Sequence, residues 1–173
     1  MAVAAYQSRE KIEVYRFPLP VAIAIPALAI FLQAFVPVKF RFFEIFDLPL
    51  LVTIFFAVAR RSQISGLLTG CAIGLAQDAL GHHPIGVYGI AKTVVGWGAS
   101  SLGVKIDVEN PGSRLLLTFG FYLLHQAVYF VVDRGLVGDT AAWMWGRTLV
   151  IAAINAVLAV PMFAVLDRFK QRA

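Results

Sequence analysis

Asp78 and Lys92 are lone charges inside two otherwise uncharged apolar runs, Ile64 to Leu80 and Ile85 to Val104. Near them stand His82 and His83, and farther along the chain His125 lies beside Gln126. Asp78 and His82 are four residues apart, a spacing that puts two metal ligands on one helical face. His83 points away from its neighbour in regular structure, and no second acidic or cysteine cluster completes a coordination sphere, so no metal and no other cofactor is expected. Cys71 is the one cysteine, which rules out an internal disulfide. Hydrolysis within a membrane would need a nucleophile with its base. Ser62, Ser65, Ser100 and Ser101 lack a Gly-x-Ser-x-Gly setting or a partnered histidine, and no paired acids or arginine-rich phosphate pocket is present. His125 reads as a packed, hydrogen-bonded residue. No catalytic residue is assigned.

Asp78 is then the residue most in need of a partner, because an ionised group near the bilayer centre costs about 2.5–3.5 kcal/mol and less towards the edge. It lies two residues from the end of its run. Lys92 starts about 10 Å into the next run at 1.5 Å per residue, and its long side chain reaches back towards the same end. An ion pair between Asp78 and Lys92 is the expectation. It would fix a hairpin, with proton coupling or contact with a partner as the alternatives.

The elements that must position these groups are membrane helices. Of the 173 residues, 60% are hydrophobic and 14% charged, against about 25% charged in soluble domains. A span needs about 20 apolar residues, so six would consume most of the chain. Phe17 to Val38 is the first, longer than a signal-peptide core and without a small-residue cleavage site, hence expected to stay. Leu48 to Ala59 is a short second one, extended backwards by Phe40, Phe42, Phe43 and Phe46 as an interfacial aromatic belt. The two runs above are the third and fourth. Leu115 to Val132 and Thr148 to Leu166 complete the set, with Trp143 and Trp145 as anchors.

Basic residues test the doubtful second span. With six helices and the N-terminus inside, ten Lys and Arg fall on the inner side and four, Lys39, Arg41, Arg134 and Arg147, on the outer. Deleting the second span reverses that balance. The expected architecture is therefore an all-α six-transmembrane-helix bundle with both termini in the cytoplasm: residues 1–16 as an inner segment, 17–166 as the membrane domain and 167–173 as a tail. An inner loop from Lys105 to Ser113 turns at Asn110-Pro111-Gly112 and caps the next helix at Ser113. The net charge of +5 is spread over several segments, unlike a nucleic-acid face.

Small residues organise the third and fourth spans. Gly66, Gly70, Gly74 and Asp78 recur every four residues, while Gly86, Gly89, Thr93, Gly96, Ser100 and Gly103 alternate by three and four. Such stripes let helix backbones approach in lipid, where van der Waals contact replaces the hydrophobic drive. Gly81 and Pro84 bracket a tight outer turn. The third and fourth spans should form a close hairpin, its glycines serving either internal packing or the docking of another membrane protein.

The stretch from Gly70 to Gly86, with Gly74-Leu75-Ala76-Gln77-Asp78 followed by Pro84-Ile85-Gly86, resembles the rod shape-determining MreD family, whose signature is Gly-Leu-x-x-Asp and then a Pro-x-Gly turn opening the next helix. Lys92 departs from the small or hydroxyl residues common there. The resemblance implies a non-enzymatic component of the bacterial inner membrane. It would act in cell elongation and lateral peptidoglycan synthesis with MreC, the actin-like MreB, RodA and the transpeptidase partner of RodA, in contact with membrane lipid and with a homodimer open. The family is also similar in fold to the S components of energy-coupling-factor vitamin transporters, the rival function. Against transport, Ala22, Ala24, Ala27 and Ala29 never fall four apart, whereas an Ala-x-x-x-Ala pair often marks the docking helix of those proteins.

Overall fold

The computed structural model describes residues 15–81, 84–104, 106, 110–138 and 142–172. His82, His83 and Lys105, and with them the middle of the outer turn and most of the inner loop, lie outside the described residues. Among the described residues there are six α-helices: α1 Leu19–Lys39, α2 Leu48–Arg60, α3 Gln63–Gly81, α4 Val87–Gly103, α5 Pro111–Val132 and α6 Trp145–Leu166. Among the described residues, five segments are long and apolar enough to cross a membrane, with α2 counted together with the 3-10 turn Arg41–Ile45 before it. At 17 residues α4 is shorter than these. The protein is an all-helical membrane protein.

Burial is distributed unlike that of a soluble bundle. α1 is apolar apart from Gln33 and the terminal Lys39 and buries Ala29 and Ile30, leaving Leu28, Phe31 and Phe35 exposed where lipid would lie. α2, the shortest helix at 13 residues, buries every residue from Pro49 to Ala59. At 1.5 Å per residue it spans about 20 Å, less than the hydrocarbon thickness of about 30 Å, and protein surrounds it. Leu50, Leu51, Ile54, Phe55 and Phe56 meet Val95 and Ala99 of α4, Phe121 of α5 and Phe163 of α6 in the core. The span that looked weakest by length is thus the axis of the bundle. It stops at Arg61, whose φ of 52° is the left-handed conformation that ends a helix.

The helix starts explain themselves locally. Asp47 caps α2 by accepting from the Leu50 N–H at 3.0 Å, and Pro49 occupies the first turn, where its missing N–H costs nothing. Ser113 is not the cap of α5. That helix begins two residues earlier, at Pro111, and Asn110 caps it by accepting from the Gly112 N–H at 2.8 Å, since Pro is well suited to the first helical position and leaves the preceding Asn as the cap. Phe40 and Phe42 project outward beside the 3-10 turn, while Phe43 and Phe46 are half buried and stack edge to face at 5.4 Å. At the other end of the bundle, Tyr15–Arg16 pairs antiparallel with Gln171–Arg172, so the chain enters and leaves the bundle together. Arg114 reaches Asp167 at 2.6 Å on the same side.

Candidate functional site

α3 and α4 form the closest helix pair, because backbone lies directly on backbone. Gly66, Gly70 and Gly74 are buried against α4. A Cβ on Gly66 would strike the Gly96 carbonyl, one on Gly70 the Lys92 carbonyl, and one on Gly74 would come within 2.7 Å of Gly89 Cα. Gly96 meets the Gly66 carbonyl in return. Thr93 and Ser100 turn their hydroxyls back onto their own helix, to the carbonyls of Gly89 at 2.7 Å and Gly96 at 2.9 Å, which leaves the contact face free of unpaired polar atoms. The glycine stripe of α3 therefore faces α4.

Asp78 closes the upper end of this hairpin. It is wholly buried, and its carboxylate receives three backbone N–H groups from the start of α4. Gly86 and Gly89 donate to Oδ2 at 2.8 and 3.1 Å, and Tyr88 donates to Oδ1 at 3.1 Å. These belong to the first turn of a helix, whose N–H groups have no intrahelical acceptor and whose dipole favours negative charge. The local cap residue is Gly86, which has no side chain to offer and sits at φ 106°, so an acid from the neighbouring helix takes its place. Pro84 is exposed just ahead of the turn.

The expected ion pair between Asp78 and Lys92 is not formed. The oxygens of Asp78 are taken by backbone donors, and Lys92, instead of reaching outward, turns inward to Asp47 with Nζ to Oδ2 at 3.0 Å. Nζ also lies 3.2 Å from His125 Nε2 and 4.8 Å from the centre of the Tyr88 ring. An ammonium has only hydrogens to give, so His125 accepts through Nε2 and carries its own proton on Nδ1. That Nδ1 stands 4.0 Å from Asp47 Oδ2, too far for a hydrogen bond.

Asp47 is the centre of a second constellation. The start of α2 is held by polar groups from four other helices: Gln33 of α1 accepts from the Leu48 N–H at 3.2 Å, and Asn155 of α6 accepts from the Asp47 N–H at 2.9 Å while donating to the Ile45 carbonyl at 2.8 Å. Lys92 of α4 and His125 of α5 supply the rest. Sequence reasoning passed over Asp47, Gln33 and Asn155. Asp47 did carry a local signal, an Asp followed at once by Leu-Pro and an apolar run, which marks a helix start.

Nothing in either constellation pairs a nucleophile with a base. Both anchor buried helix ends, and what they build is a rigid bundle whose outward faces are apolar. Compared with known proteins, the family model for rod shape-determining protein MreD matches residues 15–172. No curated protein and no solved structure matches the chain.

Proposed function

The chain belongs to the MreD family of rod shape-determining proteins, a membrane protein family of cell-shape determination, and on that premise we propose that it is a non-enzymatic scaffold of the cell-elongation machinery in the bacterial inner membrane. It assembles with MreC and with RodA and its transpeptidase partner, and through them with MreB filaments, to direct lateral peptidoglycan synthesis. The observation that carries the reading is the family match over nearly the whole chain. The bundle supports it, because its buried polar groups are spent on holding helix ends and its lipid-facing surface, α1 above all, is left for lateral contacts.

The proposed topology has six crossings with both termini in the cytoplasm. The pairing of Tyr15–Arg16 with Gln171–Arg172 supports an even number of crossings, and Arg60, Arg61, Arg114, Arg168 and Lys170 gather at that end, as the positive-inside rule expects of a cytoplasmic face. Depletion in a rod-shaped host should widen or round the cells while vitamin uptake is unchanged, and MreC should co-purify from native membranes. Cells that keep their shape but lose vitamin-dependent growth would falsify the scaffold and favour a transporter.

A further inference from the structure

At the end of the bundle where α1 finishes, opposite the paired chain ends, charge and aromatic surface alternate along Lys39, Phe40, Arg41 and Phe42, all of them exposed. Val38 before this run, and Leu80 and Ile85 at the same end, are exposed too. Apolar surface thus surrounds the two cations and sets them at the boundary between hydrocarbon and headgroups, where aromatic side chains collect.

The run is fastened to the bundle. The Phe40 N–H donates to the Val36 carbonyl and the Phe43 N–H to the Phe40 carbonyl, each at 2.9 Å, so the end of α1 passes directly into the 3-10 turn. Phe42 meets Phe40 and Phe43 edge to face at 6.4 and 6.3 Å, and Asn155 of α6 holds the Ile45 carbonyl at the far end of the turn. The cations are therefore presented at a fixed place. Neither Lys39 nor Arg41 forms an ion pair with a described residue. Glu44 in the same turn is exposed, which leaves two cations against one carboxylate, and His82 and His83 in the neighbouring outer turn bring no acid.

We propose that Lys39 and Arg41 dock the phosphate of an anionic phospholipid whose acyl chains lie against Phe40 and Phe42. Charge complementarity selects this occupant. An ammonium and a guanidinium two residues apart suit a phosphodiester that carries a net negative charge, and the phenyl rings beside them need hydrocarbon, which a free phosphate does not bring. A zwitterionic lipid carries its own cation to the same place and gains less. The site goes beyond the scaffold role and does not depend on it. Nor does it depend on the direction in which the chain crosses, since both leaflets of a reconstituted vesicle have the same composition.

The test places a fluorophore at the site. The full-length chain carrying Phe42→Trp, an aromatic exchange at an exposed position, is reconstituted into phosphatidylcholine vesicles that contain equal fractions of brominated phosphatidylglycerol or brominated phosphatidylcholine. Quenching beyond that of the unaltered chain, with its native Trp97, Trp143 and Trp145, reports which lipid sits there, and Phe40→Trp gives an independent reading. Phosphatidylglycerol should be preferred about fivefold or more, the worth of one cation near an anionic surface. Lys39→Gln together with Arg41→Gln should remove the preference, whereas Arg168→Gln, an exposed cation at the other end of the bundle, should leave it intact. Equal quenching by the two lipids, a preference that survives the loss of both cations, or one that falls as far with Arg168→Gln would each overturn the assignment. Soluble glycerol phosphate that abolishes the preference would overturn it as well, giving the cations to free phosphate.

Discussion

Two helices of this bundle begin in buried surroundings, and their free N–H groups are satisfied in opposite ways. α4 is closed by one side chain, Asp78, which reaches across from the preceding helix and engages backbone donors alone. α2 is closed by its own Asp47, whose charge is then matched by Lys92 and whose surroundings are completed by Gln33, His125 and Asn155. The first solution is local, a matter of two helices and one turn. The second needs α1, α4, α5 and α6 in place together. A carboxylate held by peptide dipoles needs no counter-ion, whereas a carboxylate facing a buried lysine ties the two residues to a common fate.

The largest effect should come from emptying the first cap. Asp78→Ala leaves three donors of α4 open, each costing about 1–3 kcal/mol when buried, and unfolding in mixed micelles should show a loss larger than for Lys92→Met, Asp47→Asn or Gln33→Leu. If Asp78→Ala is no worse than an exposed Ala substitution, the cap is decorative. Next comes the charge pair. Lys92→Met strands Asp47 and should cost about 3–5 kcal/mol, while adding Asp47→Asn, which keeps the cap to Leu50, should recover most of it. A double variant no more stable than Lys92→Met alone would break the link between the two residues.

A sharper comparison uses the same exchange at both sites. Asp78→Asn keeps its oxygen for the Gly86 and Gly89 N–H groups and loses the acceptor for Tyr88, but Asp47→Asn abandons a buried ammonium, so the second should destabilise more in the same assay. Equal losses would mean that charge matters as much at the peptide cap as at the ion pair. The smallest change is Gln33→Leu, which removes one acceptor from the periphery of the α2 cluster. It should cost about 0.6 kcal/mol, the average for polar contacts inside a membrane protein, and a collapse of the fold would show that the cluster is indivisible.

The contrast also explains what could be read from the sequence. The hairpin was legible because its instructions are periodic and adjacent: Gly66, Gly70 and Gly74 recur at the helical repeat, and Asp78 lies eight residues before Gly86. The number of helices followed from apolar runs and the placement of charge. The partner of Lys92 was not legible. Asp47 is 45 residues away and looked like a flanking charge, and proximity in sequence favoured Asp78, whose oxygens were already committed to backbone donors that no side-chain pattern displays. Burial was not legible for a related reason. Hydropathy does not tell lipid from protein as surroundings, so α1, facing outward, and α2, enclosed on all sides, look alike by composition.

The enclosure of α2 bears on the order in which the chain is made. Its neighbours α4, α5 and α6 are synthesised after it, and until α4 inserts Asp47 has no lysine to meet. During that interval α2 is a segment of 13 residues with a charge at each end and no protein sheath, a poor guest for lipid alone. Newly made chains should therefore keep α2 at the insertion machinery, or in contact with a membrane chaperone, until α4 arrives. A nascent chain halted after α3 would be an object for proteolytic surveillance, and one halted after α5 would already hold both members of the charge pair.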